Sequence, residues 1–133
     1  MGTYKDIEEK FASFIRGHYR RPVEVGIGRN PHVAVRLAEG GLRVIATDIV
    51  ERDVPEAIRF VVDDICTPDL TLYRGADLIY AVRPGVEMIP CLMETARAVG
   101  ADCIVYHLGN EVYLDGGEVI DAGVILHRYM RAP

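Results

Sequence analysis

The chain has 133 residues, a formal net charge of −5 and 50% hydrophobic residues, enough to bury roughly 70% of its unfolded surface in one core. That composition excludes a disordered segment, and thirteen scattered arginines with only two lysines form no basic block, which argues against a nucleic-acid groove. No apolar run approaches the ~18 residues of a membrane span and no signal-peptide core opens the chain; Asp6 also stands where an N-myristoylation motif requires Ser or Thr.

In chain order, Ile7, Phe11, Phe14 and Ile15 recur at helical spacing, so a helix is expected over residues 4–18. Thr3 with Asp6 three residues later resembles a capping box at its start. Residues 23–27 read as a buried strand, followed by the glycine turn Gly26-Ile27-Gly28. Asn30 is placed to cap a helix opening at Pro31 and ending at Gly40-Gly41, where a left-handed terminus is easily adopted. A second strand over 42–47 closes on Asp48.

Only eleven residues lead to the next strand at 60–62, fewer than a parallel crossover normally uses. A short helix is therefore expected around 55–59. After Asp63-Asp64 comes a turn with one helical turn near 70–73, then a strand over 77–82 ending at Arg83-Pro84-Gly85. Ile89, Leu92, Met93, Ala96 and Val99 share one face of a helix terminated by Gly100, and a strand follows at 103–107. The turn signal Asp115-Gly116-Gly117 and the β-prone run 124–129 predict a closing antiparallel hairpin at one sheet edge.

This alternation predicts one α/β domain over 1–133: a doubly wound, mostly parallel, Rossmann-like sheet with a C-terminal antiparallel hairpin. In such sheets ligands bind at the carboxyl ends of the strands. Cys66, Cys91 and Cys103 are odd in number, widely spaced and without zinc spacing or a CxxC motif, so they are read as buried thiols of a cytoplasmic protein. His18, His32 and His127 show no ligand spacing with cysteines or acids, and no metal site is expected.

Several strand ends carry candidate chemistry. Gly26 and Gly28 allow a sharp turn and a close ligand approach, although tight strand-to-helix turns use the same pair with no ligand. The third glycine of the dinucleotide fingerprint falls at Pro31, which has no amide proton, and this argues against NAD. Glu24 sits in an apolar strand. It is either a structural acid bonded to loop amides or to an arginine such as Arg29, or the organiser of the glycine loop that meets a ligand's cationic group.

Asp48 is placed either to accept the two hydroxyls of a ribose or to cap the segment after it. In Asp63-Asp64, one acid accepts from an adenine amino group while Ile65 packs the ring, or the pair is a solvated turn. Arg83 either holds a substrate carboxylate or phosphate, or pairs internally with Asp48, Asp63, Asp64 or Glu87. Tyr80 is core or cleft wall, and His107 is a base or a satisfied structural histidine.

Glu24-Val25-Gly26-Ile27-Gly28-Arg29-Asn30, with Asp48-Ile49 and Asp64-Ile65, resembles the E/D-x-G-x-G-x-G motif, the ribose acid with its apolar neighbour, and the adenine-side pair of the class I S-adenosylmethionine-dependent methyltransferases. Asp77–Pro84 falls where that family's fourth motif begins to shape the acceptor site. With Ile79-Tyr80-Ala81-Val82-Arg83-Pro84, the chain is more closely similar to a small archaeal family of truncated, methyltransferase-like Rossmann proteins.

The resemblance implies S-adenosylmethionine as cofactor, held by Glu24, Gly26, Gly28, Asn30, Asp48, Ile49, Asp64 and Ile65, with Arg83, Tyr80 and His107 as candidate catalytic residues. Two departures, Asn30 in place of the third glycine and the short connections at 49–59 and 65–75, favour a second reading. In it the chain is a non-catalytic module acting through protein contacts, as a homodimer or with a larger partner.

Overall fold

A computed structural model describes residues 4–133, so the Thr3 half of the expected capping box lies outside the described residues. Seven strands form one sheet in the order β3-β2-β1-β4-β5-β7-β6. Strands β1 (Pro22–Val25), β2 (Val44–Asp48), β3 (Ile58–Val62), β4 (Leu78–Val82) and β5 (Asp102–Tyr106) are parallel. The tail forms β6 (Glu118–Asp121) and β7 (Ile125–Met130), and β7 inserts antiparallel between β5 and β6. The doubly wound sheet and its closing hairpin are those expected.

Alternate strand residues face opposite layers, because successive side chains in a strand point to opposite sides. Leu78, Tyr80 and Ile104 face helix α1 (Tyr4–His18) and helix α2 (His32–Glu39), where Phe11, Ala12, Ile15, Val33 and Leu37 cover them. Val23, Val25, Ile79, Ala81, Cys103 and Val105 face helix α3 (Ile89–Val99), packing on Ile89, Leu92 and Ala96. Helix α3 stops at Gly100, whose φ of 76° is left-handed.

Asn30 Oδ1 accepts the His32 N–H at the opening of α2, as its position before Pro31 requires. At the other end of α2, Leu42 N–H still bonds back to Leu37 O, which delays β2 to Val44. Strand β1 stops at Val25 because Gly26 turns the chain at φ 71°.

Two expectations are corrected. No helix forms at 55–59: the chain runs from Asp48 to Ile58 as a loop, too short to turn a helix and return to a parallel strand. Cys66 and Cys91 are not buried thiols. They form a disulfide with a Cα–Cα separation of 5.0 Å, joining the loop after β3 to the first turn of α3. Their separation of 25 residues gave no sign that the fold brings these two segments side by side. Cys103, on β5, is the buried thiol expected, and burial pushes it up to about 12.

Candidate functional site

The parallel pairing of β1 with β2 places Val25 beside Thr47, so the glycine turn leaves the sheet at the level of Asp48. Gly26 N–H and Ile27 N–H both donate to Thr47 O, at 2.9 and 3.1 Å. Gly28 N–H donates to Asp48 Oδ2 at 2.8 Å. The first three amides of the turn are thus satisfied within the protein, and Gly26 and Gly28 both hold positive φ, which an L side chain adopts only with strain.

Asp48 also receives Arg52 Nε on Oδ2 at 3.2 Å, while its Oδ1 meets only the Val50 amide at 3.5 Å. The carboxylate is nearly buried, with the guanidinium of Arg52 over its solvent side. Ile49, the next residue, is 68% exposed, an apolar side chain projecting beside the acid.

At the end of β3 the two acids separate in role. Asp63 accepts the Tyr73 hydroxyl at 2.7 Å and the Asp69 N–H at 2.9 Å, so it shapes the following loop. Asp64 is exposed and accepts the Cys66 N–H on Oδ1, leaving Oδ2 toward solvent, while Ile65 is buried beneath it. Together Gly26, Gly28, Asp48, Ile49, Asp64 and Ile65 line one cleft of about 400 Å³, closed on the α3 side by Met88. A Cβ added at Gly26 would make only ordinary contact with Met88 Cε at 3.6 Å, so the positive φ and not lack of space is what favours glycine here. The volume lies in the range of small-molecule sites.

The other candidates lie outside that cleft. Glu24 is 1% exposed and points into the layer under α1, where Tyr80 donates its hydroxyl to Oε1 at 2.8 Å. Burial and the nearby charge of Glu8 raise Glu24 to about 8, against the lowering effect of the tyrosine bond, so it is protonated at neutral pH. Its partner is Tyr80, neither loop amides nor Arg29, which is exposed. Tyr80 is fully buried, core and not cleft wall.

Arg83 takes a left-handed backbone (φ 54°) before Pro84 and reaches Glu8 of α1 at 3.6 Å, with its guanidinium 5.3 Å from the centre of the Tyr106 ring. The expected partners Asp48, Asp63, Asp64 and Glu87 are replaced by an acid from another helix. Glu8 also accepts the side-chain amide of Asn30. Asn30 therefore ties the glycine loop to α1 and does not line the cleft.

His107 Nε2 lies 2.6 Å from the Tyr129 hydroxyl, which also accepts the Tyr113 N–H. Desolvation and the neighbouring His127 lower its pKa. Its Nε2 is occupied and the ring is flanked by His127 and Tyr129 at the end of β5, while the buried Nδ1 has no hydrogen-bond partner among the described residues.

Neither Glu8 nor Arg52 is among the residues expected from the sequence to act at the site. Arg52 carries no signal, since it stands in an irregular loop. Glu8 does: it shares the helical stripe of Phe11, Ala12 and Ile15, and an acid on a buried stripe needs a partner.

The chain belongs to the family described as an uncharacterised protein family (UPF0146), which it matches over residues 5–119. A UPF0146 protein of Archaeoglobus fulgidus is 50% identical over 97 residues, 72% of this chain and 75% of the relative. Among solved structures, the CcbJ methyltransferase of Streptomyces caelestis superposes with a TM-score of 0.59 at 21% identity, over 78% of this chain and 52% of its own. SAM-bound CalS10, an amino pentose methyltransferase from Micromonospora echinaspora, gives a TM-score of 0.59 at 17% identity, over 90% and 58%. The fold is therefore that of the methyltransferase Rossmann-like proteins, and the chain spans little more than half the length of these two enzymes.

Proposed function

We propose that this UPF0146 chain binds S-adenosylmethionine or a related adenosyl ligand across the carboxyl ends of β1, β2 and β3. The observation that carries the reading is the convergence of Asp48, Ile49, Asp64 and Ile65 on one cleft beside the positive-φ glycines Gly26 and Gly28. Two carboxylates and two apolar side chains are the chemistry a nucleoside needs: acceptors for ribose hydroxyls and an exocyclic amine, and surfaces for a base.

The residues present fit the nucleoside part of the ligand. Asp48 Oδ1 is available to a ribose hydroxyl, Asp64 Oδ2 to an amino group, and the exposed Ile49 with Ile65 supplies apolar walls. The tail end is less well provided. The turn amides of Gly26, Ile27 and Gly28 are already bonded inside the protein, and the Asn30 amide is held by Glu8. Recognition therefore concentrates on the adenosyl group, and S-adenosylhomocysteine is expected to bind about as well as S-adenosylmethionine.

When bound, S-adenosylmethionine supplies a methyl group already activated by its sulfonium, so transfer requires positioning more than a base. A specific observation favours binding without turnover as the second reading. Tyr80, Arg83 and His107 are each engaged inside the protein, and none of them lines the cleft.

Calorimetric titration with S-adenosylmethionine, S-adenosylhomocysteine and NAD tests the proposal. Micromolar binding of the two adenosyl ligands without NAD supports it, and no heat from folded protein with any of them removes it. Transfer of a labelled methyl group to any acceptor in a cell extract would decide for catalysis over the binding module.

A further inference from the structure

Cys66 directly follows Ile65 and lines the cleft, while Cys91 stands three residues beyond Met88, which also lines it, in the first turn of α3. The disulfide therefore fastens the adenine-side loop to α3. A second, largely apolar cavity of about 480 Å³ lies between Pro68 and Leu70 of the loop and Pro90 and Ala98 of α3. Ile65 and Cys66 line both cavities, and Cys91 lines the second, so open volume adjoins the loop where the disulfide holds it.

The loop's own bonds are local. Cys66 N–H and Thr67 N–H both turn back to Asp64, and Thr67 and Asp69 are exposed. Its far end is anchored by the Asp63 contacts with Asp69 and Tyr73 and by the burial of Tyr73 in the core under β1 and β4. Cys66 is exposed as well, whereas Cys103 is fully buried and stands apart on β5.

We propose that the Cys66–Cys91 disulfide is a latch opened by cellular dithiols, an exchange site whose reduction frees the segment 64–72 from α3 and loosens the adenine end of the cleft. The effect on the ligand rests on the adenosyl reading above; the effect on the segment does not. Exposed disulfides are the more oxidising, labile and regulatory ones.

The chemistry is thiol–disulfide exchange. A thiolate of the dithiol attacks the exposed Cys66 sulfur, forming a mixed disulfide, and Cys91 leaves as a thiolate that takes a proton. The second thiol of the reductant then attacks the mixed disulfide and releases Cys66. The dithiol ends as a disulfide and the protein holds two thiols, with two electrons and two protons transferred. An oxidised dithiol runs the sequence backwards.

The test uses the full chain equilibrated with oxidised or reduced dithiothreitol, beside a Cys66→Ser, Cys91→Ser double variant. Oxidised protein should show one titratable thiol after denaturation, and reduced protein three. Amide hydrogen exchange over 64–72 should quicken about tenfold in the reduced protein and in the double variant, with β1, β4 and β5 unchanged. The dissociation constant for S-adenosylhomocysteine should rise about fivefold in both.

Three thiols after equilibration with the oxidised dithiol would overturn the latch. So would unchanged exchange over 64–72, or equal affinity in the two redox states where binding is seen. Faster exchange on reduction with no adenosyl binding in either state would support the latch and remove the cleft reading instead.

Discussion

Tyr80 donates its hydroxyl to Glu24 Oε1 at 2.8 Å across β1 and β4, where the two are direct register partners. The bond places a protonated carboxyl in the middle of the sheet under α1. Glu24 is raised by burial to about 8 from an ordinary value of 4.5, so the folded state holds a proton that the unfolded chain releases. Below pH 4.5 both states are protonated and the contribution of this group is complete; it is lost as pH rises through about 8.

Stability should therefore fall between pH 5 and 8 by up to about 1.4 kcal/mol per pH unit from this one group. Glu24→Gln keeps an acceptor for Tyr80 without the titration, so its stability should be flatter over that window. Urea denaturation at several pH values measures both slopes. Equal slopes in the two proteins would mean that Glu24 is ionised in the fold.

Much of this arrangement was legible in the sequence, and the boundary follows from physics. Apolar periodicity located the strands, α1 and α3, and an acid after each of β2 and β3 located one wall of the cleft. Glu24 was recognised as anomalous because an isolated carboxylate in an apolar strand is costly, but its partner depends on register, which periodicity does not encode. The same holds for Arg83 with Glu8 and for Cys66 with Cys91: each pair joins segments whose proximity appears only after the sheet is ordered. The loop 49–57 is mixed: chain length ruled out a full crossover helix, but the short helix expected at 55–59 does not form.

Asp48 stands at the centre of the proposed ribose contact. Asp48→Ala should weaken adenosyl binding by about 1–3 kcal/mol, the scale for losing a charged acceptor, or roughly 5- to 150-fold in dissociation constant. The substitution also strands the Gly28 N–H, so Asp48→Asn is the fairer comparison: it can still accept from Gly28. Calorimetry on both variants measures the effect, and unchanged affinity in both would end the ribose assignment.

Arg52 occupies the other oxygen of the carboxylate proposed to meet the ribose. Its Nε lies 3.2 Å from Asp48 Oδ2 and its side chain is 28% exposed, so it draws on the negative charge that the proposed ribose contact at Oδ1 would use. Partly exposed ion pairs are worth about 0–1 kcal/mol. Arg52→Ala should accordingly tighten adenosyl binding up to about fivefold, with little change in melting temperature. Weaker binding in this variant would show that the guanidinium contacts the ligand.

Glu8 connects α1 to both the glycine loop and the end of β4, through Asn30 and Arg83. It is 3% exposed, so neither tie is exchanged freely for water. Glu8→Ala leaves the Asn30 amide and the Arg83 guanidinium without this acceptor and should cost about 1–3 kcal/mol of stability. Helix α1 should nevertheless stay docked, because Phe11, Ala12 and Ile15 carry its packing on the sheet. Glu8→Gln retains an oxygen for Asn30 and should recover part of the loss. The distinguishing readout is hydrogen exchange over residues 26–31: it should quicken in Glu8→Ala more than in the core strands, since the loop loses its tie while the sheet keeps its ladder. A uniform increase across the sheet would show that Glu8 supports the whole fold and not the loop beside the cleft.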